Sequence, residues 1–509
     1  IHKIMKKTFI LAIGLLAMTT VNAQDITDAV RYSDDNIQGT ARFKAMSGAF
    51  GALGGDLSAV SINPAGSALF NNSYASLSIS YQDNKSNTNY FGSKSSNNEI
   101  NFDLNQAGGV FVFKNTRSDS QVRKFVLSIN YEQTNNFNNE FFASGMNNSS
   151  IDNYFLQYAQ GLRLDEISAF DGESYTDAYG DIGAIYGYNN QQAFLGYESY
   201  ILEPDTYDDD NTGYSSNISP GTFHHEYSHY TTGNNNKLSF NAAMKFNENF
   251  YLGLNLNSHF IDYNRTTYLF ESNTNPGSLI NEVGFENNLS TYGNGFSFQL
   301  GGIVKLNEIL RIGASYDSPV WYNMNDETTQ YLAAVRNESG DNISQVIDPR
   351  VVNVFADYKI QTPDKITGSL AFIIGQKGLI SFDYSRKDYG KTKFKPSDDS
   401  YFRTLNNDIN NILTASNTYR LGGELRHNQL SFRGGYRLEQ SPYKNSNFYG
   451  DLKGFSLGLG YSFGNTKLDF AYENSKRDYN QQLYQVGLTD SVGINSKNDI
   501  ITMTLSTSF

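Results

Sequence analysis

The sequence predicts an all-β protein: a transmembrane up-and-down β-barrel of about 14 antiparallel strands, preceded by a short helical segment. Three observations predict it. Apolar residues alternate with small or polar ones in successive runs from residue 74 onward, and the connections between these runs alternate between short and long. The chain also contains 36 Tyr and 35 Phe but one Trp, a composition that suits strands with aromatic faces. No Pro-rich or Ser-rich linker divides its 509 residues.

Residues 1–23 are predicted to be a secretory signal peptide. Three lysines precede the apolar run FILAIGLLA, which ends at the small-residue site Val21-Asn22-Ala23, so we expect cleavage before Gln24. Later segments do not approach the roughly 18 consecutive apolar residues of a spanning helix, which excludes a helical membrane protein. The chain has no Cys, so a lipid anchor on Cys and a disulfide framework are excluded too.

The overall charge and the absence of catalytic patterns exclude further classes. The formal net charge of -13 disfavours binding to nucleic acid or to an anionic membrane surface. Neither a Ser-His-Asp nor a paired-carboxylate arrangement can be singled out. We therefore expect a protein that is not an enzyme and that needs neither cofactor nor metal.

The stretch GALGGDLSAVSINPAG, residues 51–66, is glycine-rich but is not a phosphate-binding loop, because it lacks GxxxxGK[ST] and follows no strand. Asp56 is a good N-cap for a short helical turn that must end before Pro64. Asn63 can cap a second turn with Pro64 at its first position. The sequence therefore predicts a compact helical segment that cannot form a wall strand.

Period-two alternation defines the predicted strands and their limits. Segment 351–359 is expected to extend the strand that follows it, because Pro363 interrupts the run and an even strand number suits a barrel. The predicted strands lie near residues 74–82, 107–114, 123–133, 236–247, 250–262, 293–306, 309–317, 364–374, 378–386, 418–426, 429–438, 453–463, 466–474 and 499–509.

The connections predict which edge of the barrel faces which compartment. We expect tight periplasmic turns on one edge and long extracellular loops on the other, and fourteen strands return the C-terminus to the periplasm. A soluble β-sandwich would also alternate, but it has no reason to place all its long loops on one edge. Short connections are predicted at 115–122, 248–249, 307–308, 375–377, 427–428 and 464–465, and long ones at 83–106, 134–235, 263–292, 318–363, 387–417, 439–452 and 475–498.

The last strand, DIITMTLSTSF, ends the chain on Phe509. A terminal strand that ends on an aromatic residue resembles the signal by which the barrel-assembly machinery recognises its substrates, plausibly by pairing with an open sheet edge. We expect Phe509 to serve as this assembly signal and the barrel-assembly machinery to be a partner during biogenesis.

Two loop motifs are weak candidates for metal chemistry. HHEYSH, residues 224–229, matches the HExxH pattern of zinc peptidases, but that chemistry requires a helix, and the flanking residues favour turns and strands. The motif is expected to be the descending end of a long surface loop. EPDTYDDDNTG, residues 203–213, lacks the EF-hand spacing and is expected to be a solvated acidic loop, with weak divalent-cation binding as the alternative.

The run GTARFKAMSGAFGALGGDLSAVSINPAG, residues 39–66, followed by about 14 strands, resembles the FadL-type outer-membrane transport family. That family carries an Asn-Pro-Ala motif in an N-terminal hatch that fills the barrel lumen. The resemblance implies a hatch over 24–73, a barrel over 74–509 and a place in the bacterial outer membrane. Its motif is matched here by Asn63, Pro64 and Ala65, followed by Gly66.

The resemblance also implies a function, which is passive uptake of hydrophobic molecules such as long-chain fatty acids. The ligand would be captured among the extracellular loops, pass the hatch and leave sideways through the barrel wall. Glycines of the hatch would let it shift, and apolar hatch residues would line the path. The residues expected in these roles are Gly48, Gly51, Gly54 and Gly55 for movement, and Phe43, Phe50, Leu53 and Leu57 for the lining.

Two departures from the family pattern favour an alternative. The third strand, RKFVLSINYEQ, has neither Gly nor Pro to produce the kink that opens the wall in the family, and the loop 134–235 is long and dense in Tyr and Asn, as protein-contacting surfaces can be. The alternative is a non-transporting barrel, as in PorV-like members, that acts as subunit or shuttle of an outer-membrane complex for secretion or barrel assembly. A surface adhesin is the third hypothesis.

Overall fold

The computed structural model describes residues 24–34, 36–117, 120–338 and 340–509. The signal peptide predicted over 1–23 lies outside these residues. Across the described ranges, none of the helices has the length and apolar character needed to cross a membrane.

The described residues form one closed antiparallel barrel of fourteen wall strands, as the alternation predicts. Each strand pairs with its neighbour in the chain, and the last pairs with the first. The wall strands are β1 Tyr74–Tyr90, β2 Ser93–Lys114, β3 Val122–Asn136, β4 Phe223–Phe246, β5 Phe250–Ser272, β6 Ile280–Lys305, β7 Leu310–Asp317, β8 Lys365–Ile374, β9 Gly378–Asp388, β10 Ala415–His427, β11 Leu430–Glu439, β12 Leu452–Ser462, β13 Thr466–Gln482 and β14 Ser491–Ser508.

The polarity of the wall is the reverse of that of a soluble β-sandwich. In β12 the apolar side chain of Leu457 points outward and is 56% exposed, whereas Ser456 points inward and is 1% exposed. An outward apolar band around a polar interior is what a membrane-spanning barrel requires, because lipid solvates the outer face.

Short turns gather at one end of the barrel, the turn end, and long connections at the other, the loop end. The predicted pattern of connections is confirmed, but several predicted loops are largely strand. The segment 83–106, for example, continues β1 and β2 up to a turn at Phe91 and Gly92. Hydropathy missed most of these extensions because residues 84–89 and 93–99 are polar on both faces, so that the apolar alternation that marks a half-buried strand is lacking there. Ile100, Phe102 and Leu104 do alternate on the outer face, and the prediction overlooked them.

Further strands extend the wall above the loop end. The strand Trp321–Glu338 continues β7 and pairs with β6, and Tyr358–Gln361 pairs with it, so the segment before β8 does extend the wall. The remaining elements here are the strands Asp341–Ile347, Asn353–Val354 and Lys393–Lys395, the 3₁₀ helix Tyr389–Lys391 and a helix at Ser400–Ile412.

The N-terminal segment lies inside the barrel as short helices, as predicted. They are α1 Ile26–Arg31, α2 Ala41–Lys44 and two 3₁₀ helices, Ser58–Ser61 and Pro64–Leu69. α2 packs on β12, β13 and β14, and the last 3₁₀ helix packs on β3 to β6.

Residues 148–222, which we call the cap, fill part of the loop end. After the strand Asn139–Asn147 they form α3 Asp152–Ala159, the 3₁₀ helix Leu164–Glu166, α4 Tyr175–Tyr186, α5 Tyr188–Glu198 and a small sheet of Leu202–Pro204 with Tyr214–Ser216. The cap shares a large apolar core with the inner faces of the wall extensions. It contains thirteen Asp and Glu but a single basic residue, Arg163, and so carries nearly all of the net charge of -13.

The HHEYSH motif is not a surface loop, and this prediction was wrong. It lies in β4, where the inward side chains of His225 and His229 are buried and Glu226 points to the other face. His225 donates to or accepts from Glu271 at 2.8 Å, and His229 stacks on Phe141. The strand continues past the membrane band because its inner face packs under the cap.

Candidate functional site

Asn63 fixes the second helical turn of the hatch and ties it to the wall. Its Oδ1 accepts from the N–H of Ala65 at 3.1 Å, which caps the helix that begins at Pro64, as predicted. Its Nδ2 donates to the carbonyl of Gly51 at 2.8 Å and to that of Gly302 in β6 at 3.1 Å. One side chain therefore joins two parts of the hatch to the barrel.

Ionised side chains of the wall hold the rest of the hatch. The carboxylate of Asp383 in β9 accepts from the backbone N–H groups of Phe50 and Gly51, each at 2.9 Å. Arg42 donates to Glu424 at 2.9 Å, and Glu424 also accepts from Arg433 at 2.7 Å. Buried ionic bonds of this kind fix geometry more than they add stability, since each charge must first lose its water.

Glycines of the wall let the hatch approach backbone to backbone. A Cβ added at Gly253 would lie 2.3 Å from the carbonyl carbon of Pro64, and one at Gly313 would lie 2.3 Å from the carbonyl oxygen of Gly51. Contacts this short are not seen in real structures. The strands therefore need glycine here to accept the hatch.

The apolar hatch residues expected to line a path are buried and packed. Phe43, Phe50 and Leu53 belong to one cluster, and Leu57 belongs to a second cluster with Ala65. Phe43 also lines the smaller of the two lumen cavities described below.

The two hatch glycines expected to allow movement, Gly54 and Gly55, differ in their packing. Gly54 has φ +55°, and a Cβ on it would lie 2.8 Å from the Cα of Gly66, so the two glycines touch. Gly55 has φ +66° and open space beside it.

At the other end of the chain, Phe509 is 68% exposed, and its N–H donates to the carbonyl of Ser73 at 3.0 Å.

Two cavities lie in the lumen and share one partition. The larger, which we call the upper cavity, has a volume of about 320 Å³, and the smaller has about 100 Å³. Asn36, Ile37 and Gln38 line both. Asn36 donates to Asn135 at 2.7 Å, and Gln38 accepts from the buried ammonium of Lys44 at 3.1 Å. Three residues of the hatch thus separate the two spaces.

The upper cavity combines aromatic walls with a half-paired guanidinium. Arg437 in β11 is 3% exposed and lines the cavity. Its Nη2 donates to Glu473 at 3.1 Å, whereas its Nε and Nη1 have no hydrogen-bond partner in the described part of the chain. Buried N–H groups are nearly always paired, so these donors mark a place for an acceptor. The aromatic walls are Phe137, Tyr443, Phe448, Tyr449 and Tyr479.

Sequence reasoning missed Arg437, although its signal was present. Alternation in LSFRGGYRLE places Arg433 and Arg437 on the small and polar face, which is the lumen face of a barrel strand. Its partner Glu473 lies on β13, two strands along the wall, and the pattern within one strand does not give such a pairing.

The wall changes construction between β2 and β3. Within the described residues, their backbone ladder ends at Gln106 and Glu132. Beyond it, side chains join the two segments: Asn136 donates to Asp103 at 2.6 Å, and Asn138 donates to Asn101 at 2.5 Å. We call this stretch the seam. Asn136 and Asn138 also line the upper cavity. β3 ends at Asn136, an asparagine, and not at a Gly or Pro, neither of which the predicted third strand contains.

A family profile decides where this barrel belongs. Residues 211–509 match the family described as outer membrane protein transport protein (OMPP1/FadL/TodX). The chain belongs to this family. The resemblance to this family and the outer-membrane location are thereby confirmed, and the barrel is a member of a transport family.

Solved structures agree in fold with this family. A FadL homologue from Pseudomonas aeruginosa matches with a TM-score of 0.52 at 12% identity, over 93% of this chain and 99% of that one. The toluene transporter TodX from Pseudomonas putida matches with a TM-score of 0.50 at 12% identity, over 93% and 99%. Identities this low show the fold alone. No curated protein matches the chain.

Proposed function

We propose that the protein takes up amphipathic molecules that have a hydrophobic body and one anionic head group, of which long-chain fatty acids are the expected example. The observation that carries this proposal is Arg437, a buried arginine that lines a cavity of polar and aromatic side chains and has two N–H groups without a partner among the described residues. A carboxylate head would accept from the guanidinium, and the chain would lie along the aromatic walls. A volume of about 320 Å³ is at the lower end of the usual range for small-molecule sites.

Passage requires the hatch to move, and the partition Asn36–Gln38 is the part we assign to this gate. It is held by few side-chain bonds, and it ends at Gly39, whose φ of +125° is open to glycine only. Displacing the partition would join the two cavities. The seam beside the upper cavity is the proposed lateral exit, because side-chain bonds between asparagines separate more easily than a backbone ladder.

Substituting Arg437 tests the head-group assignment. In Arg437→Met we expect a long-chain fatty acid to bind about 10- to 100-fold more weakly, because a hydrogen bond to a charged group contributes roughly 1.5–3 kcal/mol. The alcohol of the same chain length should bind equally to both proteins. Equilibrium binding to the detergent-solubilised barrel measures both affinities. Arg437→Lys, which keeps the charge, should retain part of the affinity.

The matched control is Arg386→Met, which removes an exposed arginine outside the lumen. Folding is checked by the heat-dependent gel mobility typical of barrels. Equal weakening of acid and alcohol, or binding of toluene in place of both, would contradict an anionic head group.

One observation favours the second candidate, a non-transporting subunit of an outer-membrane complex. The hatch meets the wall by direct backbone contact at Gly253 and Gly313, which suits a permanent seal. Such a barrel would offer its long loops to protein partners. Purification in mild detergent distinguishes the two: stoichiometric protein partners with an empty lumen favour the subunit, and a monomer with extractable lipid favours uptake.

A further inference from the structure

The backbone joins the cap to the barrel at a single place on the rim. The chain leaves the wall at Asn147 and returns to it at Phe223, and these two residues pair directly with each other. The 75 residues between them therefore start and end at adjacent positions on the barrel rim. A segment attached in this way can turn about its attachment without breaking a wall strand.

A buried polar network fixes the root of the cap beside this attachment. Glu271 in β5 accepts from the hydroxyl of Ser150 at 2.5 Å and from the N–H of Ile151 at 2.8 Å. His225 lies between Glu271 and Tyr90, at 2.8 and 2.9 Å. Because Glu271 binds both the Ser150 hydroxyl and the Ile151 N–H, the chain leaves the wall for the cap in one fixed direction.

Away from the root, the cap is held by several side-chain hydrogen bonds, and a reciprocal amide pair lies at their centre. Gln191 donates to Asn353 at 3.0 Å, and Gln345 donates to Tyr175 at 2.9 Å. Nε2 of Gln192 in α5 donates to Oε1 of Gln330 at 2.8 Å, and Nε2 of Gln330 donates back at 2.9 Å. Gln330 lies on Trp321–Glu338, three strands along the wall from β4. The hydroxyl of Tyr179 also donates to Gln330, at 2.8 Å. Burial raises the pKa of Tyr179, so this hydroxyl keeps its proton.

Polar pairing in an otherwise apolar core suits a contact that must form and break. Gln192 is fully buried and Gln330 is 6% exposed, among the aromatic side chains of the shared core. A neutral hydrogen bond contributes only about 0.5–1.5 kcal/mol net to stability, yet it forms only when the two amides are correctly oriented. An apolar pair of the same size would hold the cap without selecting one position.

We propose that the cap is a lid that turns about its root, with the Gln192–Gln330 pair as its latch. Opening the latch lifts α4 and α5 from the wall extension of β6 and β7, while Glu271 keeps the root in place. This lid is the extracellular entrance to the lumen, an assignment that rests on the proposed uptake function.

Gln330→Met tests the latch, because methionine keeps the volume and loses the amide. We expect hydrogen–deuterium exchange of residues 175–198 to rise about tenfold, while exchange of the membrane-level strands stays unchanged. Gln192→Met should also raise the exchange, and the double variant should show less than the sum of the two rises, because each single variant already loses the shared amide pair. Each glutamine has further partners, Asn287 for Gln330 and Tyr154 for Gln192, so the two single rises need not be equal. Gln440→Met is the matched control, since its amide bonds Asn417 outside the cap.

The outcomes separate the lid from the uptake function. Unchanged exchange of the cap, a rise confined to the strand of Gln330, or additive effects in the double variant would overturn the latch. If the latch is right and uptake is also right, Gln330→Met speeds fatty-acid association while Arg437→Met leaves cap exchange unchanged. A rise in exchange without fatty-acid binding in any variant would keep the lid and reject uptake.

Discussion

Asn63 has two structural roles: it caps a helical turn of the hatch and binds the hatch to the wall. Its capping role follows from the sequence, since Asn before Pro is a strong start signal for a helical turn. Its second role, donation to the carbonyls of Gly51 and Gly302, joins residues far apart in the chain. Sequence patterning is local, so only the first role was predictable.

Substitutions of Asn63 separate the two roles. In Asn63→Ser the hydroxyl can still accept from Ala65, so the cap remains and the wall contacts are lost, whereas Asn63→Ala loses both. We expect Asn63→Ala to destabilise the hatch by roughly 1–2 kcal/mol and Asn63→Ser to be intermediate. Proteolysis of the hatch in the folded barrel measures this order. Asn72→Ala, at an exposed turn residue, serves as control, and equal effects of Ser and Ala would assign all the stability to the wall contacts.

The lumen charges mark the limit of residue-level prediction. Strand alternation is sufficient to place Arg437 inside the barrel, and this inward charge was available from the sequence. Its distance to Glu473 and its position beside Phe137 depend on the tilt and closure of the barrel, which no single strand encodes.

At the scale of elements, the membrane-level strands were predicted well and their extensions poorly. A strand such as β12 can be predicted from its sequence, because the face that contacts lipid consists of apolar residues. The upper part of β2, SKSSNNE, has no apolar face, and its pairing is set by β1 across a tight turn. The cap helices are likewise stabilised by a shared core and not by strong local signals.

The contact between β7 and the hatch gives a test at this scale. Gly313→Ala would place a methyl group against the carbonyl of Gly51, and overpacking of this kind typically costs about 1–3 kcal/mol. We expect a lower unfolding midpoint in a heat-dependent gel-mobility assay. Gly368→Ala, on the adjacent β8 with open space around it, should leave the midpoint unchanged. Equal midpoints for the two variants would mean that the hatch can yield at this contact.

For the whole molecule, strand count and loop parity predicted the closed barrel and the placement of its loops. The cap and the seam could not be predicted from the sequence, because each is formed by segments that meet only when the barrel closes. The absence of Cys from the chain makes the seam accessible to experiment, since introduced thiols are the only ones present.

A cleavable crosslink across the seam tests its role as exit. In the double variant Asn101→Cys and Asn138→Cys we expect a short dithiol-reactive crosslinker to slow fatty-acid transfer into vesicles at least about tenfold, because the wall can no longer part. Reductive cleavage of the linker should restore the rate. The control pair, Phe111→Cys and Leu127→Cys, crosslinks positions that the β2–β3 ladder already joins. Undiminished transfer through a crosslinked seam would place the exit elsewhere.

The acidic cap concentrates negative charge at the loop end of the barrel, since it carries thirteen acidic residues and one basic residue. Protons and other small cations accumulate beside such a surface, so the local pH there is lower than in the surrounding medium. Under the proposed uptake function, a carboxylic acid at the cap would be protonated more often than in bulk water. It would lose that proton beside Arg437, where the guanidinium favours the carboxylate.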